Sequence, residues 1–230
     1  SEGLAVIHNL ICGSFTSIDD GCDGLVDGKL RQRFTPYHIP HRTEVMGFMT
    51  LLHGDDRFYN NIFVQKYDPV PHNGTSDNAE VGTHLFDDFP TYDEWIANFD
   101  MDSDTPDMSG LEKYHWSYLP VWCDGNVYLS GSKSWKNEKN KFMSSESVNI
   151  ELEEKNGRIC LKTDLYKLID KFSAGMISTG MLGEAFEPEQ RFEAPDGRDI
   201  VFDSDYLGNH RGSAVIPGPF AEAAENYELY

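Results

Sequence analysis

Two neighbouring stretches of the sequence, residues 35–44 and 54–61, hold its densest group of polar side chains. Six of them are candidate substrate-binding residues: His38, His41, Glu44, Asp55, Asp56 and Arg57. Imidazole, carboxylate and guanidinium groups can hydrogen-bond the hydroxyls of a sugar, and a flat ring such as that of Tyr37 can pack against a pyranose. This mixture predicts a sugar-binding groove. The same charged side chains would also suit salt bridges along a rim, with Arg42 and Arg57 as the cations.

Metal-dependent and nucleophilic chemistry find less support in the sequence. His38 and His41 lie in a proline-bearing stretch whose spacing is not that of helix-borne metal ligands, and no third ligand is evident. Residues 100–107 resemble a calcium loop but lack glycine at the sixth position and have Leu111 at the twelfth, which favours a solvated acidic loop. There is no glycine-rich phosphate loop, Gly-x-Ser-x-Gly elbow or His-Glu-x-x-His helix. We therefore expect no metal and no cofactor.

The composition restricts the class of partner. The 230 residues include 39 acidic and 19 basic side chains, a formal net charge of −20. Nucleic acids and anionic membranes are bound through Lys and Arg patches, so neither is an expected partner, whereas neutral sugars remain compatible. The cysteines at positions 12, 22, 123 and 160 lack paired spacing, which favours reduced thiols over a disulfide framework or a metal site.

Three short segments share one pattern and indicate how the polar residues are positioned. In each segment an asparagine, Asn9, Asn61 or Asn126, precedes two apolar residues. Asparagine tolerates left-handed backbone and hydrogen-bonds its neighbours, so it suits the corner between two short strands of a stacked coil, as in a β-solenoid. The asparagines are 52 and 65 residues apart, which requires extra coils or long insertions between them. Three unrelated strand ends would give the same pattern by coincidence.

The segments between these corners carry weaker signals. Residues 45–52 form an apolar run that predicts a buried strand bounded by Gly54. Pro36 and Pro40 flank His38 and favour an extended loop there. Residues 91–94 have the spacing of a capping box, which predicts a short helix reaching Phe99 within an insertion.

The C-terminal third has the pattern of antiparallel hairpins. Residues 148–152 and 159–161 flank a tight Asn156-Gly157 turn, and a second hairpin is predicted around Asp196-Gly197, between Phe192 and residues 200–202. Residues 165–172 permit either a helix or a strand. The whole reads as an all-β chain, with solenoid coils in residues 1–145, a loop and helix insertion around 70–118, and hairpins that cap the same solenoid in 146–230.

Several strings resemble the C-terminal region of glycoside hydrolase family 120 β-xylosidases. They are Arg33-Phe34-Thr35-Pro36-Tyr37-His38 with His41 and Thr43-Glu44; Gly54-Asp55-Asp56-Arg57-Phe58-Tyr59-Asn60-Asn61-Ile62-Phe63-Val64; and Pro195-Asp196-Gly197, Asp203, Asp205-Tyr206, Gly208, Arg211 and Pro217-Gly218-Pro219-Phe220. The resemblance implies a right-handed parallel β-helix, with a β-sandwich inserted near the N-terminal side of the complete protein. It also implies release of xylose from the non-reducing end of xylo-oligosaccharides with retention of configuration.

Retaining hydrolysis needs two carboxyl groups about 5–5.5 Å apart, one as nucleophile and one as acid/base. The resemblance places this Asp and Glu on coils that precede Ser1, so we expect the chain alone to lack the pair. The sequence begins directly in a strand-like run, which also favours a start inside a longer protein. The implied partners are a xylo-oligosaccharide and the upstream β-helix and β-sandwich segments of the same protein.

Two other functions fit the same residues. A non-catalytic carbohydrate-binding β-solenoid would use the groove without cleaving the sugar. A lyase on a similar scaffold would act on acidic sugars, and at a net charge of −20 it would need a cation such as calcium to neutralise the uronate.

Overall fold

The structure is a computed structural model that describes residues 3–13, 25–26, 29–30, 34–50, 52–66, 80–98, 118–186 and 188–229. The described part is mostly sheet with few helices, as an all-β chain requires. The strands are β1 Ala5–Ile7, β2 Leu10–Ile11, β3 Leu25–Val26, β4 Lys29–Leu30, β5 Phe34–His38, β6 Val45–Thr50, β7 Asp56–Tyr59, β8 Ile62–Val64, β9 Val121–Asp124, β10 Asn126–Leu129, β11 Lys141–Ser144, β12 Ile150–Lys155, β13 Arg158–Thr163, β14 Glu184–Ala185, β15 Gln190–Arg191 and β16 Asn226–Glu228. Two short α-helices, α1 Tyr92–Ile96 and α2 Thr179–Leu182, and two 3-10 helices, His84–Phe86 and Leu165–Lys167, complete the described elements.

Two parallel sheets form the centre of the molecule. One has the order β1-β7-β9 and the other β11-β10-β8-β2. Leu10 pairs with Ile62, and Ile62 with Val127, so residues 5–11, 56–64 and 121–129 stack as three successive rungs, each made of two strands. The three asparagine-bearing segments are direct neighbours. The long sequence separations between them are therefore insertions and do not hold extra coils between the rungs.

Each rung turns at a left-handed residue. The positive φ angles fall on His8 (58°), Asn60 (56°) and Gly125 (69°), the residues immediately before the pattern asparagines. The expectation that these asparagines themselves adopt the left-handed conformation is therefore wrong by one position. Gly125 has a second reason to lack a side chain, because an added Cβ would lie 2.3 Å from Oδ1 of Asn60.

The asparagines form a hydrogen-bonded ladder along the stack. Oδ1 of Asn61 accepts from the backbone N and the Nδ2 of Asn9 at 2.9 and 3.1 Å, and Oδ1 of Asn126 accepts from the same two groups of Asn61 at 2.9 and 3.1 Å. The ladder ends at Glu138, whose Oε1 accepts from N and Nδ2 of Asn126 at 3.2 and 2.8 Å. Each corner thus satisfies the polar groups of its neighbour, which buried backbone requires.

Apolar side chains cover the rungs on both sides. Phe58 clusters with Phe86 and Phe89, from the insertion between the second and third rungs, and with Trp135, from the loop after the third rung. On the opposite side Ile62, Val127 and their neighbours pack against Leu161, Tyr166 and Phe220 of the C-terminal part. Fully burying each aliphatic side chain stabilises the fold by about 1.5–3 kcal/mol, so this contact helps to hold the C-terminal part on the rungs.

The C-terminal hairpin agrees with its prediction. Strands β12 and β13 pair antiparallel around Asn156 and Gly157, whose φ angles of 55° and 76° are those of a type I′ turn. Strand β16 adds to β13 as a third strand. The ambiguous segment that follows β13 begins with a 3-10 helix, Leu165–Lys167.

The second predicted hairpin has the right turn but the wrong partners. The amide of Gly197 donates to the carbonyl of Ala194 at 2.8 Å, so a turn is present. Residues 200–202 pair with residues 177–179 instead of Phe192, since Thr179 N donates to Ile200 O and Phe202 N to Ile177 O, each at 2.9 Å. The local pattern indicated the reversal, while long-range packing chose the partner strand.

The predicted burial of residues 45–52 is wrong for Val45, Met46 and Phe48, while Leu52, beyond the strand, is buried. Strand β6 pairs antiparallel with β5. His38, where an extended loop was predicted, is the last residue of β5. The side chains of Val45, Met46 and Phe48 are 52, 62 and 71% exposed. An apolar run specifies a strand but not whether another layer covers it. Pro36 is tolerated because a two-stranded ribbon has only edge strands.

The predicted capping box is confirmed at helix α1. Thr91 Oγ1 accepts from the Glu94 amide at 3.2 Å, and the Glu94 carboxylate accepts from the Thr91 amide at 2.8 Å. The helix ends at Ile96; Phe99 and the acidic stretch 100–107 lie outside the described residues. Trp95 buries its ring with Leu52 and Leu119. No helix in the described part has the length and hydropathy to cross a bilayer.

Candidate functional site

The six predicted substrate-binding residues occupy two different environments. Asp55, Asp56 and Arg57 are 2, 2 and 4% exposed at the start of the second rung. His38, His41 and Glu44 belong to the exposed end of the β5–β6 hairpin. The prediction that all six contact substrate stays a prediction, and the geometry differs for each group.

Arg57 is bonded entirely to protein groups within the described part. Its Nε donates to Leu182 O and its Nη2 to Glu184 O, both at 2.7 Å, while Nη1 donates to Oδ1 and to the carbonyl of Asp55 at 2.6 Å. The guanidinium lies between the rings of Trp122 and Phe192, 4.3 and 4.6 Å from their centroids. This arrangement joins the rung stack to residues 182–192. The sequence carried no signal for these two stacking partners, which come from distant segments.

Asp55 completes the same cluster. Its second oxygen, Oδ2, accepts from the Phe186 amide at 2.6 Å, so both carboxylate oxygens have partners. Burial raises the pKa of Asp55, and the Arg57 guanidinium and the Phe186 amide oppose that rise. Asp56, equally buried, accepts from the Leu4 amide at 3.3 Å. These contacts favour a structural role for the buried carboxylates.

The hairpin end is fixed to the body by polar contacts. His41 Nε2 and Glu193 Oε1 are 2.9 Å apart, and the same carboxylate has Arg191 Nη1 3.4 Å from its other oxygen. The side chain of Gln190 donates to the carbonyl of His38. Glu44 lies 3.8 Å from Arg42, and both side chains are more than half exposed, so this pair contributes little to stability. The geometry leaves the exposed groups accessible to a ligand.

A third polar cluster, which the sequence analysis missed, surrounds Glu138. Its Oε2 accepts from the Tyr128 hydroxyl at 2.6 Å, and that hydroxyl lies 2.7 Å from Thr83 Oγ1. Burial raises the pKa of Glu138 against the opposing hydrogen bonds from Tyr128 and Asn126. Oε1 closes the asparagine ladder and Oε2 accepts from Tyr128, so both carboxylate oxygens have partners within the fold. Its position 12 residues after Asn126 gave no local signal.

A cavity of about 540 Å³ lies between the first rung and the C-terminal part. Its lining combines apolar side chains with His8, Asn9, Asp205 and Arg211. Burial, with Arg211 nearby, lowers the pKa of His8 to about 3, so His8 is neutral at physiological pH. Arg211 donates to three backbone carbonyls of residues 216–220 and so fixes the turn in the Pro217-Gly218-Pro219-Phe220 string. Mixed apolar and polar lining is typical of a small-molecule site.

The described residues contain no cluster of three or more His, Cys, Asp or Glu side chains arranged to hold a metal ion. Cys12, Cys123 and Cys160 are free thiols, and burial raises the pKa of both Cys12 and Cys123. These two are therefore protonated and poor nucleophiles at neutral pH.

Comparison with known proteins gives one structural likeness. No protein-family model matches the sequence, and no curated protein does. A solved structure, that of XylC in complex with xylose, is similar to 98% of this chain with a TM-score of 0.76 and 26% sequence identity. The chain spans 32% of the XylC chain. In fold and in sequence, this chain is therefore similar to about a third of a protein whose structure was solved with xylose.

Proposed function

We propose that this chain is the C-terminal portion of a retaining glycoside hydrolase that releases xylose from the non-reducing end of xylo-oligosaccharides. The observation that carries the proposal is the likeness of 98% of the chain to XylC, whose structure contains xylose. The family 120 β-xylosidase resemblance of residues 33–44 and 54–64 points to the same substrate. Because the chain spans only 32% of XylC, catalysis is proposed for the whole protein.

The three rungs are, in this proposal, the last coils of a right-handed parallel β-helix. Support comes from the in-register parallel pairing of both sheets and from the ladder of Asn9, Asn61 and Asn126. The β12-β13-β16 sheet then acts as an antiparallel cap. Within the described part no group donates to Oδ1 of Asn9, while every later acceptor of the ladder receives two hydrogen bonds. A preceding asparagine-bearing coil would fill that position.

The catalytic carboxyl pair is proposed to come from those preceding coils. A retaining pair needs one free carboxylate facing the anomeric carbon and one free carboxylic acid facing the glycosidic oxygen. Asp55 and Glu138, the buried acids with raised pKa, both have their oxygens occupied by protein donors. We propose that this chain contributes part of the groove wall, through His38, His41 and Glu44, and that Asp55 and Arg57 hold the wall in position.

A second candidate function is a non-catalytic carbohydrate-binding solenoid. The cavity beside the first rung favours it, because Tyr206 and Phe202 lie there together with Asp205 and Ser204. Aromatic rings beside hydroxyl and carboxylate groups are the components of a sugar site.

An assay with p-nitrophenyl β-xyloside tests the proposal. The chain alone should hydrolyse the substrate no faster than buffer, and the protein translated from the complete reading frame should release nitrophenol at a rate proportional to enzyme concentration. Turnover by the chain alone would contradict the assignment of the carboxyl pair. Inactivity of the complete protein, with retained binding of xylo-oligosaccharide, would favour the binding solenoid.

A further inference from the structure

The β5–β6 hairpin has one face that is apolar and uncovered. Phe34 and Phe48 are 60 and 71% exposed, and Met46, two residues before Phe48 on the same strand, is 62% exposed. Pro36 lies directly opposite Phe48 in the antiparallel pair. Because side chains two residues apart share a face, these four residues form one surface, called here the hairpin face. A face of this kind on a protein surface marks an interaction site.

The other face of the hairpin is occupied by its own residues. Tyr37 pairs with Gly47, and its ring lies over the glycine so closely that an added Cβ would be 2.8 Å from the tyrosine hydroxyl. The tip is held to the body by the contacts of His41 with Glu193 and of Gln190 with the His38 carbonyl. The hairpin face is therefore presented by a ribbon fixed at its end, with its rings pointing away from Tyr37.

The charges of the molecule decide what such a face could bind. The chain carries a net charge of −20, so a second copy of it or a polyanion would be repelled on approach. The four residues of the hairpin face carry no formal charge, and the charged pair at the tip, Arg42 and Glu44, is mutually neutralising at 3.8 Å. An uncharged ligand meets no electrostatic penalty at this surface.

The positions of the two rings further restrict the class of ligand that the hairpin face could bind. Phe34 pairs with Thr50, which is two residues beyond Phe48. The two phenylalanines are therefore diagonal neighbours, whose Cα atoms are roughly 7–8 Å apart in an antiparallel pair. Two rings on neighbouring positions of one face can both stack on sugars of one chain. A β-linked pentose chain has flat, apolar ring faces without an exocyclic hydroxymethyl group, and such faces pack on aromatic rings.

We propose that the hairpin face binds a β-linked xylo-oligosaccharide by stacking of Phe34 and Phe48 on its sugar rings. The inference rests on the proposed function for the class of sugar but not for catalysis. The polar candidates of the same hairpin, His38 and His41, lie at the tip end of this surface.

Calorimetric titration of the purified chain with xylohexaose tests the inference. Phe34→Ala and Phe48→Ala should each weaken binding about fivefold, and the double variant more than tenfold, as expected for the loss of one and two stacking contacts. Both positions are exposed, so circular dichroism spectra should match that of the original chain. Met143→Ala is the matched control, because Met143 is 51% exposed on β11, outside the hairpin, and should leave binding unchanged.

Three results would overturn the inference. They are absence of xylohexaose binding by the original chain, equal affinity of the double variant, and concentration-dependent self-association in sedimentation that the double variant abolishes. None of these affects hydrolysis of p-nitrophenyl β-xyloside by the complete protein, so failure of the hairpin face and failure of the proposed catalysis are separable.

Discussion

Arg57 is the residue whose substitution best separates a structural role from a role in binding sugar. Its guanidinium bridges Asp55 and the carbonyls of Leu182 and Glu184 inside the fold. Arg57→Ala leaves Asp55 buried without its cation, so we expect the free energy of unfolding to fall by about 3–5 kcal/mol. Urea denaturation followed by tryptophan fluorescence measures this loss.

The control for this prediction is Arg42→Ala. Arg42 is exposed and 3.8 Å from its partner Glu44, so its removal should change stability by less than about 1 kcal/mol. Equal stability of the two variants would show that the Arg57 cluster does not hold the C-terminal segment to the rungs. A loss of sugar affinity by Arg57→Ala at unchanged stability would instead support direct contact with substrate.

Glu138 gives the chain a specific pH dependence. Burial raises the pKa of Glu138 above its ordinary value of 4.5. The folded protein therefore keeps the carboxyl proton of Glu138 to higher pH than the unfolded chain does. The stabilisation from that proton is complete below about pH 4.5 and is lost as pH rises through the folded-state pKa. Glu138→Gln is neutral at every pH and can still accept from Asn126, while its amide can donate to the Tyr128 hydroxyl.

We therefore expect Glu138→Gln to gain stability relative to the original chain as pH rises from about 4.5 towards neutrality. Urea denaturation of both proteins at a series of pH values gives the difference. A difference that does not change with pH would mean that no proton is linked to folding at this position.

At the scale of the elements, the asparagine ladder makes the rungs a cooperative unit. Asn61→Ala removes the oxygen that accepts from the backbone and side-chain amides of Asn9. It also removes the side-chain amide that donates to the Val6 carbonyl. Orphaned buried polar groups cost about 1–3 kcal/mol each, so the expected loss is about 2–4 kcal/mol. Asn9→Ala, at the exposed end of the ladder, should cost less than half as much. Comparable losses, measured by thermal or urea unfolding, would contradict the ladder.

The rungs, the Asn156-Gly157 hairpin and the capped helix could all be predicted because each depends on local residue chemistry. An asparagine before two apolar residues, a left-handed turn dipeptide and a Thr-x-x-Glu capping box each specify backbone geometry over a few residues. The position of the left-handed residue at the rung corners was missed by one. That conformation falls on His8, Asn60 and Gly125, while the asparagines supply the side-chain bonds.

The candidate site was less predictable because the accessibility of a side chain depends on segments far away in sequence. Arg57 has the chemistry of a sugar-binding side chain. Leu182 and Phe192, more than a hundred positions later in the sequence, nevertheless contact its guanidinium and help to bury it. The opposite error occurred at Phe48, whose apolar run predicted burial although no described layer lies over the hairpin face. The pattern of apolar residues predicts a strand, but which face of that strand is buried depends on tertiary packing.

At the scale of the whole molecule, the proposed function makes the stack one end of a longer coil. The C-terminal sheet and residues 200–220 cover the side of the rungs, Glu138 closes the ladder at the third rung, and the first rung offers the open acceptor of Asn9. The chain spans 32% of the XylC chain to which it is similar. The net charge of −20 is compatible with a neutral sugar substrate.

The most direct test of the account is proton NMR of xylotriose during hydrolysis by the protein from the complete reading frame. We predict that β-xylose appears first, before mutarotation, and that xylobiose accumulates with the original reducing end intact. Initial release of α-xylose, cleavage from the reducing end, or no release of xylose would contradict a retaining hydrolase that acts at the non-reducing end.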